Sequence, residues 1–160
     1  MSYQEKRTIA SIVSGFLVLI AYCIYAFANV HPEGDLKFWA LTILIFIGVG
    51  IVLTIVIQII YHIMLSIAIA IKERERDEKK IEKTIECAMV EDEMDKLIEL
   101  KSTKVGFAIA GVGFVAGLIA LALGGSGALM LNILFLSGGV GAIVEGFVSL
   151  RYYRKGIRNA

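Results

Sequence analysis

The chain alternates between long apolar stretches and short polar or charged ones. Four apolar segments reach or nearly reach the roughly 20 residues that a helix needs to cross a bilayer. They are residues 9–30, 38–61, 105–123 and 128–150. The pattern predicts an all-α fold, a four-transmembrane-helix bundle that forms a single membrane domain.

The second apolar segment is longer than a bilayer requires. Residues 38–71 include no charged side chain at pH 7, a run of 34. As a helix this run is roughly 51 Å long, against a hydrocarbon core of about 30 Å. We interpret it as a span that ends near Tyr61, followed by an apolar stem outside the lipid. Residues 62–104 are then expected to form a helical hairpin that returns the chain to the membrane.

Composition agrees with a membrane protein. Apolar residues make up 58% of the 160 residues, whereas soluble domains have about 45–50%. An alternative for the N-terminus is a cleaved signal peptide, because residues 26–28 (Ala-Phe-Ala) have the form of a signal-peptidase site. The apolar stretch that begins at Ile9 is longer than the apolar region of a typical cleaved signal peptide. The sequence therefore favours an uncleaved span.

Lysine and arginine predict the orientation. Lys6 and Arg7 precede the first span, nine basic residues lie within residues 72–104, and four follow the fourth span. Residues 31–37 carry one, and residues 124–127 carry none. By the positive-inside rule we expect both termini and the hairpin in the cytoplasm, with the chain in the inner membrane. The net charge of +1 does not indicate a nucleic-acid partner.

The cytoplasmic hairpin is predicted to be an interaction surface. Apolar residues recur through it at helical spacing, and residues 86–99 contain six acids and one base. Such a segment is amphipathic, and a solvated acidic face is the alternative interpretation. The candidate docking surface comprises Ile81, Ile85, Met89, Asp92, Glu93, Asp95 and Leu97. Because one hairpin covers only one side of the apolar stem, we expect a homodimer.

Glu145 is the one acidic residue inside a predicted span. Counted from Ala128, it lies about 26 Å along the fourth helix, close to the cytoplasmic boundary. Three other polar residues are expected at similar depth, and with Glu145 they form a candidate intramembrane polar cluster: His62, Gln58 and Lys104. Two interpretations stay open, a proton- or cation-responsive site and an interfacial acid paired with Lys104, His62 or water.

Small residues predict how the last two spans pack. They recur at spacings of three and four on one face of each helix, where close backbone approach drives association in lipid. The glycines expected at this contact are Gly106, Gly113, Gly117, Gly138 and Gly141. The short connection of residues 124–127 requires an antiparallel hairpin.

Cofactor and metal chemistry are not indicated. Cys23 and Cys87 are predicted on different sides of the membrane boundary, and the chain has no CxxC or HExxH motif. His31, Glu33 and Asp35 lie close together, but they belong to a Pro-Gly turn sequence that explains them without a metal. We therefore expect no cofactor, no metal and no catalytic residue.

A family resemblance rests on residues 91–102, Glu-Asp-Glu-Met-Asp-Lys-Leu-Ile-Glu-Leu-Lys-Ser, directly before an apolar span. Together with residues 2–7, this segment resembles an uncharacterised family of small prokaryotic four-span membrane proteins. That family carries an Asp-Glu-Arg-Asp-like motif followed by Ile-Glu, and Met94 here replaces the usual Arg. The resemblance implies the four-span architecture and no particular activity.

Three classes of function are compatible with these features. The favoured one is a non-enzymatic regulatory, lipid-sensing or partner-docking module that acts through the cytoplasmic hairpin. Its expected partners are membrane lipid, a second copy of the chain and a cytosolic regulator protein. The alternative is a small homo-oligomeric transporter or channel that uses Glu145 and its polar neighbours. An enzyme is disfavoured because no acyl- or phosphoryl-transfer motif is present.

Overall fold

The computed structural model of the chain describes residues 3–28, 36–73 and 93–155; beyond Ile60 in the second range, side chains are described only at Ile63, Met64 and Ile67. These ranges contain four α-helices: α1 (Tyr3–Ala28), α2 (Leu36–Glu73), α3 (Glu93–Ala122) and α4 (Gly127–Lys155). Apart from the turn of residues 123–126, the described residues are helical, as the hydrophobic pattern predicted.

Each helix is long and apolar enough to cross a membrane. The candidate spans are Gln4–Ala28, Leu36–Ile60, Glu93–Ala122 and Gly127–Lys155, with mean hydropathies of 2.2, 3.0, 2.3 and 1.9. Large apolar side chains point outward, for example Phe107 and Val112, which are 74% and 72% exposed. An apolar exterior suits helices that are surrounded by lipid tails. The prediction of four helices of spanning length is confirmed.

The helices extend beyond the apolar segments. α2 has 38 residues, about 57 Å at 1.5 Å per residue, and no Gly or Pro interrupts it after Gly50. Ile63, Met64 and Ile67 are all more than half exposed. α3 begins at Glu93, twelve residues before the predicted start of its span (105 − 93). Ile81, Ile85, Met89 and Asp92, predicted as docking residues, lie outside the described residues.

The turn between α3 and α4 has local causes. Gly124 adopts a φ of 90°, a left-handed conformation that glycine tolerates without a Cβ clash. The Gly124 and Gly125 N–H groups donate to the carbonyls of Leu121 and Ala120 at 3.1 and 2.9 Å, which is a Schellman arrangement. Ser126 Oγ then accepts from the Leu129 N–H at 3.2 Å and caps α4. These caps fix the antiparallel hairpin.

Glycines allow α3 and α4 to approach closely. Gly113 faces the Ser137 side chain with no room for a Cβ, and a Cβ at Gly117 would lie 3.3 Å from Met130 Cγ. A Cβ at Gly141 would lie 2.7 Å from the carbonyl oxygen of Gly106. The contact between α3 and α4 is the most extensive of any helix pair. The pair is a tightly packed unit.

α4 is the central helix, since each of the other three contacts it. Against α1, Gly139 faces Leu19 and Gly146 faces Ile12. α4 packs less closely against α2, as shown by the most apolar stretch of α2, which has no buried residue. Gly138, predicted at a helix contact, has no atom within 4 Å of its Cβ position.

Tyr22 joins α1, α2 and α4. It is fully buried, and its hydroxyl donates to Asn132 Oδ1 at 2.6 Å. Its ring lies against Phe46 and Phe135, with centroids 5.2 and 4.4 Å away. A buried tyrosine hydroxyl needs a hydrogen-bond partner, and Asn132 meets that need. Tyr22 therefore brings a polar group of α1 into the interior of the bundle.

Candidate functional site

A polar cleft of about 330 Å³ lies between the helices, and all four contribute to its wall. Its volume is within the range of small-molecule sites. α1 and α2 supply Gln4, Arg7, Thr8, Ser11 and Gln58. α3 supplies Asp95, Glu99 and Ser102, and α4 supplies Ala142, Glu145, Gly146, Ser149 and Tyr153. The cleft thus brings together polar side chains from all four helices.

Glu145 is held in a defined position on the cleft wall. Its Oε1 accepts a hydrogen bond from Thr103 Oγ1 at 2.7 Å. Its Oε2 lies only 2.5 Å from the position that a Cβ at Gly106 would occupy. The absence of a side chain at Gly106 therefore creates the notch that admits the carboxylate. A carboxylate has about four lone-pair sites, so the bond from Thr103 leaves acceptor capacity.

Two hydroxyl groups of the cleft, those of Ser102 and Thr8, bond within their own helices. Ser102 is buried, and its Oγ lies 2.8 Å from the carbonyl oxygen of Ile98 and 3.0 Å from that of Glu99. Thr8 Oγ1 donates to the Gln4 carbonyl oxygen at 2.9 Å. Because these hydroxyl groups donate their protons to backbone carbonyl oxygens, their oxygen atoms can only accept hydrogen bonds from a molecule in the cleft.

Charge in the cleft is unequal. The lining holds three carboxylates, at Asp95, Glu99 and Glu145, and one guanidinium, at Arg7. Arg7 and Asp95 each interact with another group of the protein. With the acids ionised, the formal charge of the lining is −2. Within the described ranges, no group of three or more His, Cys, Asp or Glu side chains is arranged to hold a metal ion.

An apolar groove continues from the polar cleft. It has a volume of about 460 Å³ and lies between α1, α2 and α4. Ser11, Gln58 and Ala142 line both spaces, so the two are contiguous. Beyond these residues the groove wall includes Gly15, Val18, Gly50, Ile51 and Ile143. Polar surface gives way to apolar surface along one continuous path.

A second apolar space extends this path between α2 and α4. It measures about 400 Å³ and shares Ile47, Phe135 and Gly139 with the first groove. Gly138 also borders it, which accounts for the open space beside that residue. The looser packing of α2 thus produces a groove along its contact with the bundle.

The residues predicted for the intramembrane cluster have different positions. Gln58 and Glu145 line the same cleft. Lys104 is exposed and is not in that lining, and its neighbour Thr103 contacts Glu145 instead. The side chain of His62 lies outside the described ones. Asp95, predicted on the docking surface, lines the cleft, whereas Glu93 and Leu97 are exposed.

Several groups of the site were not predicted from the sequence, among them Thr103, which donates to Glu145, and Arg7, which lines the cleft. Thr103 lies three residues before Gly106 and continues the small-residue spacing of three and four along α3, so that face indicated its position. Arg7 was considered only for membrane orientation. Its place in the cleft depends on how α1 crosses α4, which the local sequence does not specify.

Comparison with known proteins adds no relative. Neither a protein-family model, nor a curated protein, nor a solved structure matches the chain. The resemblance to the four-span prokaryotic family stays a prediction. The functional conclusion therefore depends on the geometry of the cleft and the groove.

Proposed function

We propose that this chain is a non-enzymatic, multi-pass inner-membrane protein that binds an amphipathic membrane molecule between its helices. One observation carries the proposal. The polar cleft and the apolar groove share Ser11, Gln58 and Ala142, so a single molecule with a polar head and an apolar tail matches the whole path. A lipid is the most abundant molecule of this kind around a membrane helix.

The distribution of lysine and arginine along the chain supports a position for this site at the cytoplasmic boundary of the membrane. Both termini and the hairpin of residues 62–104 are proposed to face the cytoplasm, following the positive-inside rule. The polar cleft includes Arg7 near the start of α1 and Tyr153 near the end of α4. The polar head would therefore lie at the cytoplasmic boundary, with its tail directed toward the membrane centre.

We further propose a regulatory role, in which occupancy of the cleft alters the cytoplasmic hairpin. Asp95 and Glu99 line the cleft and lie near the start of α3, the helix into which the proposed docking surface leads. A bound head would thus contact the helix that joins the hairpin to the membrane. A cytosolic regulator protein and a second copy of the chain are the proposed partners of that hairpin.

The test is a matched pair of groove variants. Gly50 lines the groove, and its Cβ position lies 3.8 Å from Val18. Gly50→Leu would fill space that the tail needs. Gly48 is on the same helix, is exposed and has nothing within 4 Å of its Cβ position. Gly48→Leu is therefore the control, with the same change in side chain and helix propensity.

Native mass spectrometry of the full chain released from lipid nanodiscs measures the outcome. A tail that loses about ten carbon contacts loses about 1–2 kcal/mol of dispersion energy, so Gly50→Leu should retain about tenfold less lipid. Gly48→Leu should retain as much lipid as the wild type. Equal retention by all three proteins would contradict the proposal.

A second candidate function is a small homo-oligomeric transporter or channel. It is favoured by one observation, that Gln58 and Glu145 line the same cleft. An ion or substrate flux in proteoliposomes that disappears in Glu145→Gln would establish this alternative. The binding proposal predicts no flux above that of protein-free liposomes.

A further inference from the structure

We propose that the molecule held in this path is a phospholipid whose head carries a protonated primary amine. The inference rests on the proposed function and adds the chemical class of the head. It depends on the charges that surround the polar cleft, on the fixed position of one carboxylate and on the contiguity of the cleft with an apolar groove.

The charges of the cleft select the head. Three carboxylates and one guanidinium line it; Arg7 and Asp95 already interact within the protein, and Glu99 and Glu145 supply the remaining negative charge. An anionic head would face an excess of like charge, which disfavours binding. A protonated amine has the opposite charge and donates hydrogen bonds to carboxylates, which are among the stronger hydrogen bonds in proteins.

The position of Glu145 favours recognition of N–H donors in particular. Thr103 and the Gly106 notch hold its carboxylate against α3. An acceptor that is already oriented loses less conformational entropy on binding than a free side chain does. The hydroxyl oxygens of Ser102 and Thr8 are further acceptors that line the same cleft. A primary ammonium offers three N–H donors, whereas a trimethylammonium offers none.

The apolar groove identifies the amine as part of a lipid. A free amine or a metal cation would leave the adjoining apolar space of roughly 460 Å³ unfilled, because neither has an apolar part. Gly50 lines this space on the α2 side, and a Cβ there would lie no closer than 3.8 Å to Val18, so the absence of its side chain leaves room beside α2. A tail in the groove and an amine in the cleft occupy the full path.

The experiment compares heads that share the same acyl chains. The full chain is placed in nanodiscs containing equal amounts of phosphatidylethanolamine, phosphatidylglycerol and phosphatidylcholine, and native mass spectrometry identifies the retained lipid. Charge-assisted hydrogen bonds contribute about 1.5–3 kcal/mol, so we expect at least about tenfold enrichment of phosphatidylethanolamine over phosphatidylglycerol. Phosphatidylcholine should fall between them, because it has the positive charge without N–H donors.

Carboxamide variants identify the source of the preference. Glu99→Gln and Glu145→Gln should each lower the enrichment by about fivefold or more, given the strength of a charge-assisted bond. The control is Glu93→Gln. Glu93 is exposed on the same helix as Glu99 and does not line the cleft. This variant should leave the enrichment unchanged. Equal effects of all three variants would show that net charge, and not the cleft, sets the preference, and would overturn the inference.

The two proposals fail in different ways. If the three lipids are retained equally and Gly50→Leu still reduces retention of all of them, the chain binds lipid and the amine preference is wrong. Preferential retention of phosphatidylglycerol would overturn the amine preference in the same way. If Gly50→Leu leaves retention of every lipid unchanged, the proposed function itself is wrong.

Discussion

The α3–α4 hairpin and α2 show two ways in which an apolar helix is accommodated in one bundle. In the hairpin, glycines remove the side chains that would separate the helices, as at Gly113 opposite Ser137. α2 is more apolar than either helix, yet it packs against α1 and α4 only loosely. Hydrophobicity therefore places a helix in the membrane, and side-chain size decides how tightly it packs there.

The closely packed α3–α4 hairpin and the loosely packed α2 contribute to different parts of the candidate site. The hairpin positions Glu145 through Thr103 and Gly106, both on α3. α2 supplies one wall of the groove and borders the space that continues from it. The closely packed pair of helices thus holds Glu145 in place, and the looser contact of α2 leaves the groove in which we propose that a tail binds.

The largest expected effect concerns the depth of α2 in the membrane. Val49 and Ile67 are eighteen residues apart, five helical turns, and therefore on the same face; they are 51% and 54% exposed. Val49→Arg would place a charge near the bilayer centre, at a cost of about 2.5–3.5 kcal/mol. Ile67→Arg should cost close to nothing if, as proposed from the sequence, that part of α2 lies beyond the lipid.

An insertion assay on the full chain measures both apparent free energies. Equal costs at the two positions would mean that α2 lies in lipid along its whole length, for example by a steep tilt. In that case the apolar stem proposed from the sequence does not exist.

The next effect concerns the tight packing of the hairpin. A Cβ at Gly113 would overlap the Ser137 side chain, so Gly113→Ala should lower the free energy of unfolding by about 1–3 kcal/mol. Gly111→Ala is the control, because nothing lies within 4 Å of that position, and its effect should be within about 0.5 kcal/mol. Reversible unfolding in mixed micelles gives both values.

A compensating change sharpens this test. Adding Ser137→Gly to Gly113→Ala removes the atoms with which the new Cβ would collide, so most of the lost stability should return. If the double variant is no more stable than Gly113→Ala alone, the close contact between these two residues is not the cause.

The smallest effect concerns the link between α1 and α4. Tyr22→Phe removes the hydroxyl that donates to Asn132, and interhelical hydrogen bonds in membranes contribute about 0.6–1.7 kcal/mol. A double-mutant cycle with Asn132→Leu measures the coupling free energy directly. A coupling of zero would show that the two side chains do not interact in the folded protein.

Much of the fold was predictable from the sequence because lipid imposes a simple rule. A run of apolar residues without charge must be helical to satisfy its backbone groups in the bilayer, so the four helices followed from hydrophobicity alone. Hydrophobicity alone does not set where a helix ends, because charged residues end a span without ending a helix. α2 continues to Glu73 and α3 is helical from Glu93, and helix in these parts was expected from the helical spacing of apolar residues outside the spans.

The candidate site was predictable only in part. Glu145 was identified because an acid within a span is unusual, and Gln58 because it was expected at the same depth. Lys104, His62 and water were the expected neighbours of Glu145, and the hydrogen bond from the Thr103 hydroxyl was not anticipated. The apolar groove was not predicted, since it arises from the spacing between α2 and α4, which single-helix patterns do not report.

The most direct test of the account is a comparison of two interhelical distances by pulsed electron paramagnetic resonance. On a background with Cys23→Ala and Cys87→Ala, spin labels are placed at exposed positions, Val112 with Val140 across the hairpin and Val52 with Val140 across the groove. We expect a narrow distance distribution across the hairpin in detergent, unchanged by lipid, and a broad distribution across the groove that narrows when phosphatidylethanolamine is added. Two equally narrow distributions, both unaffected by lipid, would contradict this expectation.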